Sequence, residues 1–543
     1  MQRTSFLSLL AVAFVLISSC SSSDKSAVAI PKDAGFVFHI NTASLSSKLS
    51  WQEIQSTQWF KKVSAQSEDS LAKQLLDNPD KTGINMQADL VFFVKKQGRT
   101  MYTVFEGEIK DVAAFEGLNK QIKPEGKKTT VGDISVFQSD EKSITTWKGN
   151  RFISLFAIPM PDAYKFSPDG EEQGTPKIHV DTLINFAKSL YDLKSSASLT
   201  SDDRFNKLLK EPGDVHVWVS SDNFTGDLMG DVLSATKISD LIKGNISAFT
   251  LSFENGKIDA KSTSYYNEEM GKLLSKYKMK DIDADILSRL PSENLVGVMS
   301  FNYPPDGLRE FLKVAGFEGM ANGGLGKVGY SLDEFVKANK GDLLIAASDF
   351  TLTTEQRSIP SYEEGGTPYT YTKNNPKVNV LFATSINDKA AFEKLVSVVK
   401  EQTGGWSGDS TFPITYSLND KWFALGNSVD QVNKFLAGDA KNKHAAIGKL
   451  AGHPVGFYVD LKKILTTWDN ATPATDSTTK AYLTESVNMW EDVIATGNGY
   501  SGGSVTGHFE INLVNKSVNS LKQLNQYIDK MAAQGNSGRT FSF

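Results

Sequence analysis

The chain has a single cysteine, Cys20, among its 543 residues, so it cannot form an internal disulfide bond. Disulfides are common in proteins outside the cytoplasm, especially where the core is small. Without them, the folded part must be stabilised by its hydrophobic core alone, and a chain of this length can bury a large enough core. The cysteine therefore serves a purpose other than a structural crosslink.

Long apolar runs and an excess of basic charge are also missing. The apolar run from Phe6 to Ile17 is too short for a membrane span, which needs roughly 20 residues, and no second run of that length follows. The chain carries 58 basic and 63 acidic residues, a net charge of −5, with no dense basic segment. Nucleic-acid binding relies on clustered Lys and Arg, so we expect no nucleic-acid partner.

The N-terminus contains an export signal. Arg3, the short apolar run and two serines precede Cys20, in the order of a signal peptide. The step Ile-Ser-Ser-Cys at 17–20 resembles the lipobox of bacterial lipoproteins, which implies that 1–20 is a lipoprotein signal and that Cys20 is acylated. An ordinary signal peptide with a chance cysteine is the alternative. Two or three acyl chains would hold the protein firmly on a membrane, with the polar residues 21–29 as a flexible tether.

The sequence also repeats itself weakly. "IKDVAAFEGLNKQIK" from Ile109 and "INDKAAFEKLVSVVK" from Ile386 share Ile, Asp, Ala-Ala-Phe-Glu, Leu and the final Lys, and each follows a strand-like run. Each predicts an amphipathic helix that starts near an Asp. We therefore predict two tandem duplicated halves, 30–280 and 281–543. Weaker echoes occur in the same order, in segments that begin at Ile30 and Leu290, Ala88 and Gly341, Pro212 and Gly452, and Ile246 and Ser504.

Strand-like runs follow one another with only short turns between them. Runs such as "TMYTVFEGE", "ISVFQ" and "SITTWKG" predict antiparallel meanders rather than strand–helix alternation. The predicted class is α+β, with meander sheets flanked by helices in each half. The segment "TEQRSIPSYEEGGTPYTYTKNNP" from Thr354 is interpreted either as a long functional loop or as a solvated hairpin extension.

Several of these motifs together resemble one family. The lipobox, "IPKDAGFVFHIN" from Ile30, "LLDNPDKTGIN" from Leu75 and "GHFEINLVNKSVNSL" from Gly507 are similar to Bacteroidota lipoproteins grouped as domain of unknown function 4836. The resemblance covers essentially the whole mature chain. It implies a lipoprotein of the outer envelope, on either face of the outer membrane, and it implies no reaction. The only functional residue that it carries over is Cys20.

Two motifs that carry known catalytic chemistry are missing from the sequence. Neither the His-Glu-x-x-His zinc motif nor a lysine-bearing phosphate loop occurs in it. His39 and His216 lie in strand-like runs, where we expect half-buried sheet residues. Gly324, Gly326 and Gly329 fit Gly-x-Gly-x-x-Gly but follow a helical segment, so we interpret them as a linker and not a dinucleotide site. We expect no enzyme activity, no cofactor and no metal.

The leading hypothesis is a non-enzymatic lipoprotein, anchored through Cys20, that acts as an interaction or accessory subunit for outer-membrane proteins. The alternative is a surface glycan-binding lipoprotein. In that case Trp406, Tyr500 and Tyr362, which lie in Gly-rich or long loops, would stack on sugars. A third and weaker hypothesis is a hydrolase whose carboxylate pair is assembled only in space.

Overall fold

The computed structural model describes residues 29–66, 78–160, 178–224, 237–359, 368–402 and 414–534. Cys20, Tyr362 and Trp406, the predicted signal and nearly all of the tether lie outside these residues. The chain forms two compact units. The first lies within 1–235, 242–267 and 518–533, and the second within 236–241, 268–517 and 534–543. None of the described helices is both long and apolar enough to cross a membrane.

The first unit contains strands β1 to β10. Their bounds are β1 (Phe36–Ile40), β2 (Leu90–Gln97), β3 (Thr100–Glu108), β4 (Lys127–Val131), β5 (Ile134–Gln138), β6 (Ser143–Lys148), β7 (Arg151–Pro159), β8 (Val215–Ser220), β9 (Ile246–Glu254) and β10 (Lys257–Tyr265). They pair antiparallel in the order β4-β5-β6-β7-β3-β2-β1-β8-β9-β10. β1 therefore lies inside the sheet, between its sequence neighbour β2 and the distant strand β8.

Helices of the first unit connect these strands and cover parts of the sheet. They are α1 (Thr42–Lys48), α2 (Trp51–Ser56), α3 (Gln58–Gln66), α4 (Val112–Ile122), α5 (Val180–Tyr191), α6 (Asp203–Lys210), α7 (Ser221–Phe224) and, near the C-terminus, α19 (Ser520–Gln534). α8 (Ile238–Ile242) falls almost wholly within the second unit. The predicted second half ran to residue 543, whereas contacts group 518–533 with the first unit.

The second unit contains strands β11 to β18. Their bounds are β11 (Leu295–Asn302), β12 (Asn339–Ile359), β13 (Tyr369–Ile386), β14 (Thr415–Leu418), β15 (Trp422–Gly426), β16 (Val455–Asp460), β17 (Trp490–Gly497) and β18 (Ser504–Leu513). They pair antiparallel in the order β14-β15-β13-β12-β11-β16-β17-β18. β11 has the position that β1 has in the first unit.

The remaining helices of the second unit follow its strands. They are α9 (Glu268–Lys276), α10 (Ala284–Ser288), α11 (Pro305–Val314), α12 (Glu318–Gly326), α13 (Leu332–Ala338), α14 (Lys389–Gln402), α15 (Val429–Ala437), α16 (Ala445–Leu450), α17 (Leu461–Ala471) and α18 (Ser477–Met489). The α+β class with antiparallel sheets is thereby confirmed.

One face of each sheet is sealed by helices. Because successive side chains of a strand point to opposite faces, alternate residues form each core. In the first unit Phe93, Val104 and Trp218 pack with residues of α5 and α6. In the second unit Val298 and Leu344, with Leu381, Tyr458 and Ile494, pack with residues of α10, α15 and α16. We call these the buried faces.

The two repeated helices start in the same way. Asp111 precedes α4, and its carboxylate accepts a hydrogen bond from the Ala114 amide at 3.0 Å. Asp388 precedes α14 and accepts from the Ala391 amide at 2.9 Å. A carboxylate at this position satisfies an amide that the first helical turn leaves without a partner. The predicted start of both helices near an Asp is confirmed.

The phenylalanine of each repeated helix anchors it in the same manner. The Phe115 ring of α4 lies 5.1 Å from the Phe152 ring of β7, at an interplanar angle of 38°. The Phe392 ring of α14 lies 5.2 Å from the Phe423 ring of β15, at 43°. Phe115 and Phe392 are both buried. Phe115 therefore fixes α4 on β7, which pairs with β3, the strand before α4. Phe392 fixes α14 on β15, which pairs with β13, the strand before α14.

Two segments of glycine-rich or loop-like sequence form regular secondary structure. Gly324 and Gly326 lie within α12, so the interpretation of this segment as a linker was wrong. Glycine weakens a helix by about 1 kcal/mol, and contacts of α12 with α11 and α13 compensate here. The segment from Thr354 forms part of a β-hairpin, since 351–359 pair with 369–377. The hairpin alternative is therefore the one observed.

We expect Phe392→Ala to lower the free energy of unfolding by about 3–5 kcal/mol, because it leaves a cavity against Phe423. Denaturant unfolding measures this loss. Glu393→Ala, at an exposed position of the same helix, is the control and should stay within about 0.5 kcal/mol of the native chain. Equal stability of the two variants would show that this contact does not hold α14 in place.

Candidate functional site: the open face of the second unit

Several strands of the second unit are apolar on both sides. β12 contains Leu343 to Ala347 as an uninterrupted apolar run, and β11, β16 and β17 contain shorter ones. Such runs are typical of sheets that are covered on both faces. Only every second residue of these strands points to the buried face. The residues between those positions point to the other side of the sheet and form a second apolar surface.

The centre of that surface is one row of side chains across five strands. Ile345 of β12 is opposite Met299 of β11, which is opposite Phe457 of β16. Phe457 is opposite Ala495 of β17, which is opposite Phe509 of β18. Ile345, Met299, Phe457 and Phe509 are 38%, 43%, 39% and 39% exposed. These large apolar side chains are thus accessible in the middle of a sheet.

A row on each side extends this surface. One row consists of Leu343, Phe301, Val455, Gly497 and Gly507, and the other of Ala347, Gly297, Val459, Val493 and Ile511. All of these residues are half-buried. We call the three rows together the open face. Contiguous apolar patches on soluble domains mark binding surfaces, which makes the open face the candidate functional site.

Helix α17 bounds one end of the open face. It starts directly after β16, where the Asp460 carboxylate accepts a hydrogen bond from the Lys463 amide at 2.8 Å, and it packs on β11, β12 and β17. The Lys463 ammonium donates to the Leu295 carbonyl at 3.2 Å. No residue of α17 is buried, so the helix lies beside the open face without sealing it.

The opposite end of the open face is bounded by α11 and by the turn after β17. α11 starts two residues beyond β11, and the Phe301 and Tyr303 rings stack there at 6.3 Å. Burial, with the nearby Asp342 carboxylate, raises the pKa of Tyr303 to about 12. Tyr500 lies in the turn between β17 and β18. It is half-buried, and a Cβ at Gly271 of α9 would be only 2.5 Å from its hydroxyl oxygen.

Among the predicted ligand aromatics, Tyr500 is therefore packed against a helix at the margin of the open face. Trp406 and Tyr362, like the lipid anchor Cys20, lie outside the described residues. Sequence reasoning did not find the open face. The sequence did contain a signal for it. A strand with one buried face needs an apolar residue only at every second position, whereas β11, β12, β16 and β17 contain consecutive apolar residues.

The first unit contains a buried polar contact that sequence reasoning also missed. His39 and His216, expected as half-buried, are 2% and 1% exposed on the buried face. Their Nδ1 atoms lie 3.1 Å apart, and His39 Nε2 lies 3.0 Å from the Asp89 carboxylate. His216 Nε2 lies 2.9 Å from the Glu211 carbonyl oxygen, which can only accept. One Nδ1 must donate to the other, so the contact is a hydrogen bond between the two rings.

We expect His39→Ala and His216→Ala each to lower the free energy of unfolding by about 1–3 kcal/mol, because each leaves a buried nitrogen without its partner. The double variant should lose less than the sum of the two, since residues in contact are coupled. Denaturant unfolding of the four proteins measures this coupling. Strict additivity would contradict the hydrogen bond between the rings.

In the second unit, a histidine lies behind the open face. His444 precedes α16, and its Nδ1 accepts a hydrogen bond from the Ala446 amide at 3.2 Å. Its ring is 5.3 Å from that of Tyr458, the buried-face neighbour of Phe457 in β16. Burial lowers the pKa of His444, and the positive charge of Lys463 lowers it further. Protonation of Nδ1 would also remove the helix cap, so the folded protein favours the neutral ring.

In the unfolded chain, His444 takes up a proton below about pH 6.5, the ordinary pKa of histidine. In the folded protein its pKa is lower, so the ring stays neutral to lower pH. The stability that this residue contributes is therefore complete above that pH and is lost as pH falls below it. We expect His444→Asn, which keeps a capping side chain but does not titrate, to flatten the pH dependence of denaturant unfolding just below about pH 6.5. An unchanged slope would contradict this assignment.

Comparison with known proteins identifies a family for this chain. A family model described as "Domain of unknown function (DUF4836)" matches residues 27–439. No curated protein matches the chain. Two solved structures, "Structure of crystal form IV of TP0453" and "Structure of crystal form I of TP0453", are 12% and 11% identical, each with a TM-score of 0.24. The matches cover 45% and 48% of this chain and 83% and 90% of those chains.

The matched residues include the first unit's strands from β1 to β10 and the second unit's strands from β11 to β15. They also include both repeated helices, α4 and α14. The family model thus spans most of the chain, and the protein belongs to the family described as domain of unknown function DUF4836.

Proposed function

We propose that this protein is a non-enzymatic outer-envelope lipoprotein, anchored through acylated Cys20, that acts as an interaction or accessory subunit for outer-membrane proteins. The anchor is supported by the lipobox-like residues at 17–20. The interaction role is supported chiefly by a β-hairpin of the second unit, formed by 351–359 of β12 and 369–377 of β13. We call this hairpin the arm.

The arm extends beyond the rest of its sheet. β11 pairs with β12 only as far as Ser348, and β15 pairs with β13 only from Leu381 onward. From Thr351 to Ile359, every residue of β12 is exposed except Leu352, which is half-buried. A ribbon of this length reaches about 30 Å. Isolated two-stranded ribbons are marginally stable in water, so an arm of this kind gains stability from a partner.

The base of the arm is firmly held. Asp349 has a positive φ of 54° at the bulge where the arm leaves the sheet. Its carboxylate accepts hydrogen bonds from Ser292 at 2.8 Å, Gln431 at 2.9 Å and Asn379 at 3.1 Å. Burial raises the pKa of Asp349, but these hydrogen bonds outweigh it and the net pKa is lowered. A rigid base allows the arm to present its strands in a fixed direction.

The chemistry of the arm favours a strand of another protein as its partner. Strand edges bind partner strands mainly through backbone hydrogen bonds. Lys373, Pro376 and Lys377 in β13 are the kinds of residue that limit indiscriminate pairing between edges. Outer-membrane proteins that are rich in strands fit this mode of recognition.

We further infer that the two units arose by duplication, as the sequence echoes suggest. The strand orders support this, since β1 and β11 have equivalent neighbours, and so do the matched contacts of Phe115 and Phe392. The units differ in the strands that lie beyond β3 and β13. The first unit has four strands there, β4 to β7, and the second has two, β14 and β15. Divergence of this kind leaves the arm specific to the second unit.

Glycan binding remains the alternative function. Of its three predicted aromatics, Tyr500 is half-buried with its hydroxyl against α9, which favours a structural contact for that ring. Retention on immobilised polysaccharide that is lost in Tyr500→Ala or Trp406→Ala would support glycan binding over the proposed role.

We expect a tagged full-length protein to co-purify from gently solubilised membranes with a stoichiometric outer-membrane protein. A variant in which an Asn-Gly turn replaces residues 351–377 should lose that partner, because it removes the arm and retains the paired strands at its base. Quantitative identification of the co-purifying proteins measures the loss.

The matched control is Thr353→Ala with Glu355→Ala, which changes exposed side chains of the arm and leaves its backbone in place. It should retain the partner if recognition uses backbone hydrogen bonds. Thermal unfolding checks that both variants are folded. Absence of any partner from the native protein, or its retention without the arm, would refute the proposal.

A further inference from the structure

The two long edges of the arm differ in sequence. The edge formed by β13 contains Lys373, Pro376 and Lys377. Proline has no N–H to donate to a neighbouring strand, and lysine is common on edges that must stay unpaired. The edge formed by β12, with the sequence TLTTEQRSI at 351–359, contains neither residue type. The β12 edge is therefore the one that favours the addition of another strand.

Among the described strands, only β13 pairs with this part of β12. β11 lies on the other side of β12, but its pairing ends at Ser348. The backbone along the β12 edge from Thr351 to Ile359 is thus open to another strand. Because an isolated two-stranded ribbon is marginally stable and three or more strands are needed for independent stability, a strand added here would stabilise the arm.

Two charged residues on this edge determine which strand fits. Glu355 and Arg357 are two residues apart, so their side chains share one face of the arm. Their side chains are 51% and 48% exposed, with Arg357 Nη2 3.4 Å from the Glu355 carboxylate. An ion pair this exposed contributes little to stability. An antiparallel partner strand should place a basic residue opposite Glu355 and an acidic residue opposite Arg357, because like charges in opposite positions are destabilising.

A second copy of β12 has charges in this order. In a two-fold symmetric pair of strands every contact occurs twice, and the axis passes through one residue of each strand. With the axis at Gln356, Glu355 lies opposite Arg357 of the second copy, and Arg357 lies opposite its Glu355. An axis at Glu355 or at Arg357 would instead place two like charges opposite each other. The charges therefore select a single register among these three.

The other residue pairs of this register are compatible with it. Thr354 lies opposite Ser358 of the second copy, a combination that forms cross-strand hydrogen bonds. Thr353 lies opposite Ile359. Residues 353–359 of both copies then pair over about 24 Å. The two arms together form a four-stranded antiparallel sheet, which exceeds the two-stranded ribbon that is marginal by itself.

We propose that two copies of this protein form a symmetric dimer through the β12 edges of their arms, with Gln356 at the axis and Glu355 opposite Arg357. The pairing leaves the β13 edge exposed, so it does not rest on the proposed outer-membrane partner. An interface limited to two strand edges is small, and we expect a reversible dimer.

The first test is disulfide formation in full-length protein that carries Gln356→Cys. Opposite Cα atoms of an antiparallel pair lie about 4.5–5.5 Å apart, within the range of about 4.4–6.8 Å that a disulfide spans. We therefore expect a linked dimer in non-reducing electrophoresis. Thr354→Cys is the matched control, since its two copies would lie about 14 Å apart. The native chain, whose only cysteine is Cys20, measures any background.

Charge exchange in the Gln356→Cys protein tests the register. Glu355→Arg places like charges opposite each other at both contacts, and so does Arg357→Glu. Each change should slow formation of the linked dimer by about fivefold or more. The two changes together should restore the native rate, because they recreate opposite charges in every pair. Random collision of thiols predicts otherwise, since the two single changes alter the charge near the thiol in opposite directions.

Thermal unfolding of each variant checks that the protein remains folded. Absence of a linked dimer in Gln356→Cys would overturn the proposal, as would equal linkage in Thr354→Cys or a charge exchange that does not restore the rate. Co-purification of an outer-membrane protein is measured separately on the single-charge variants. We expect it to be unchanged, so failure of the dimer is distinguished from failure of that partnership.

Discussion

The architecture of each unit depends on one strand held between the next strand in the sequence and a strand from a distant part of the chain. In the first unit β1 pairs with β2 and with β8, and in the second β11 pairs with β12 and with β16. The His39–His216 contact closes a separation of 177 residues across one of these pairs. A shift of one residue in such a pair would move its side chains to the wrong face, so the packing of the core depends on its register.

That register also explains why the second unit has an apolar face without a full cover. Val298 and Tyr458 point to the buried face, so Met299 and Phe457 must point away from it. The strands end where α11 and α17 start, and these helices lie at the two ends of the open face. The sealed face stabilises the fold, while large apolar side chains of the other face stay accessible to solvent.

The two units share one arrangement of strands and differ in the parts that extend it. Each keeps a helix fixed by an aspartate cap and a buried phenylalanine, in α4 and α14. The first unit has two additional strands, β4 and β5, beyond β6, while the second extends β12 and β13 into the arm.

The sequence by itself determined the α+β class, the antiparallel strands and the start of the repeated helices, because these follow from local periodicity and capping residues. It also predicted an export signal and showed the lone cysteine. It did not reveal that "EGMANGGLG" at 318–326 forms a helix, since contacts with α11 and α13 outweigh the low helix propensity of glycine. Only the tertiary structure decided that His39 meets His216 and that Met299 and Phe457 share an exposed row. Both depend on the pairing of strands far apart in the chain, and local sequence does not specify which distant strands meet.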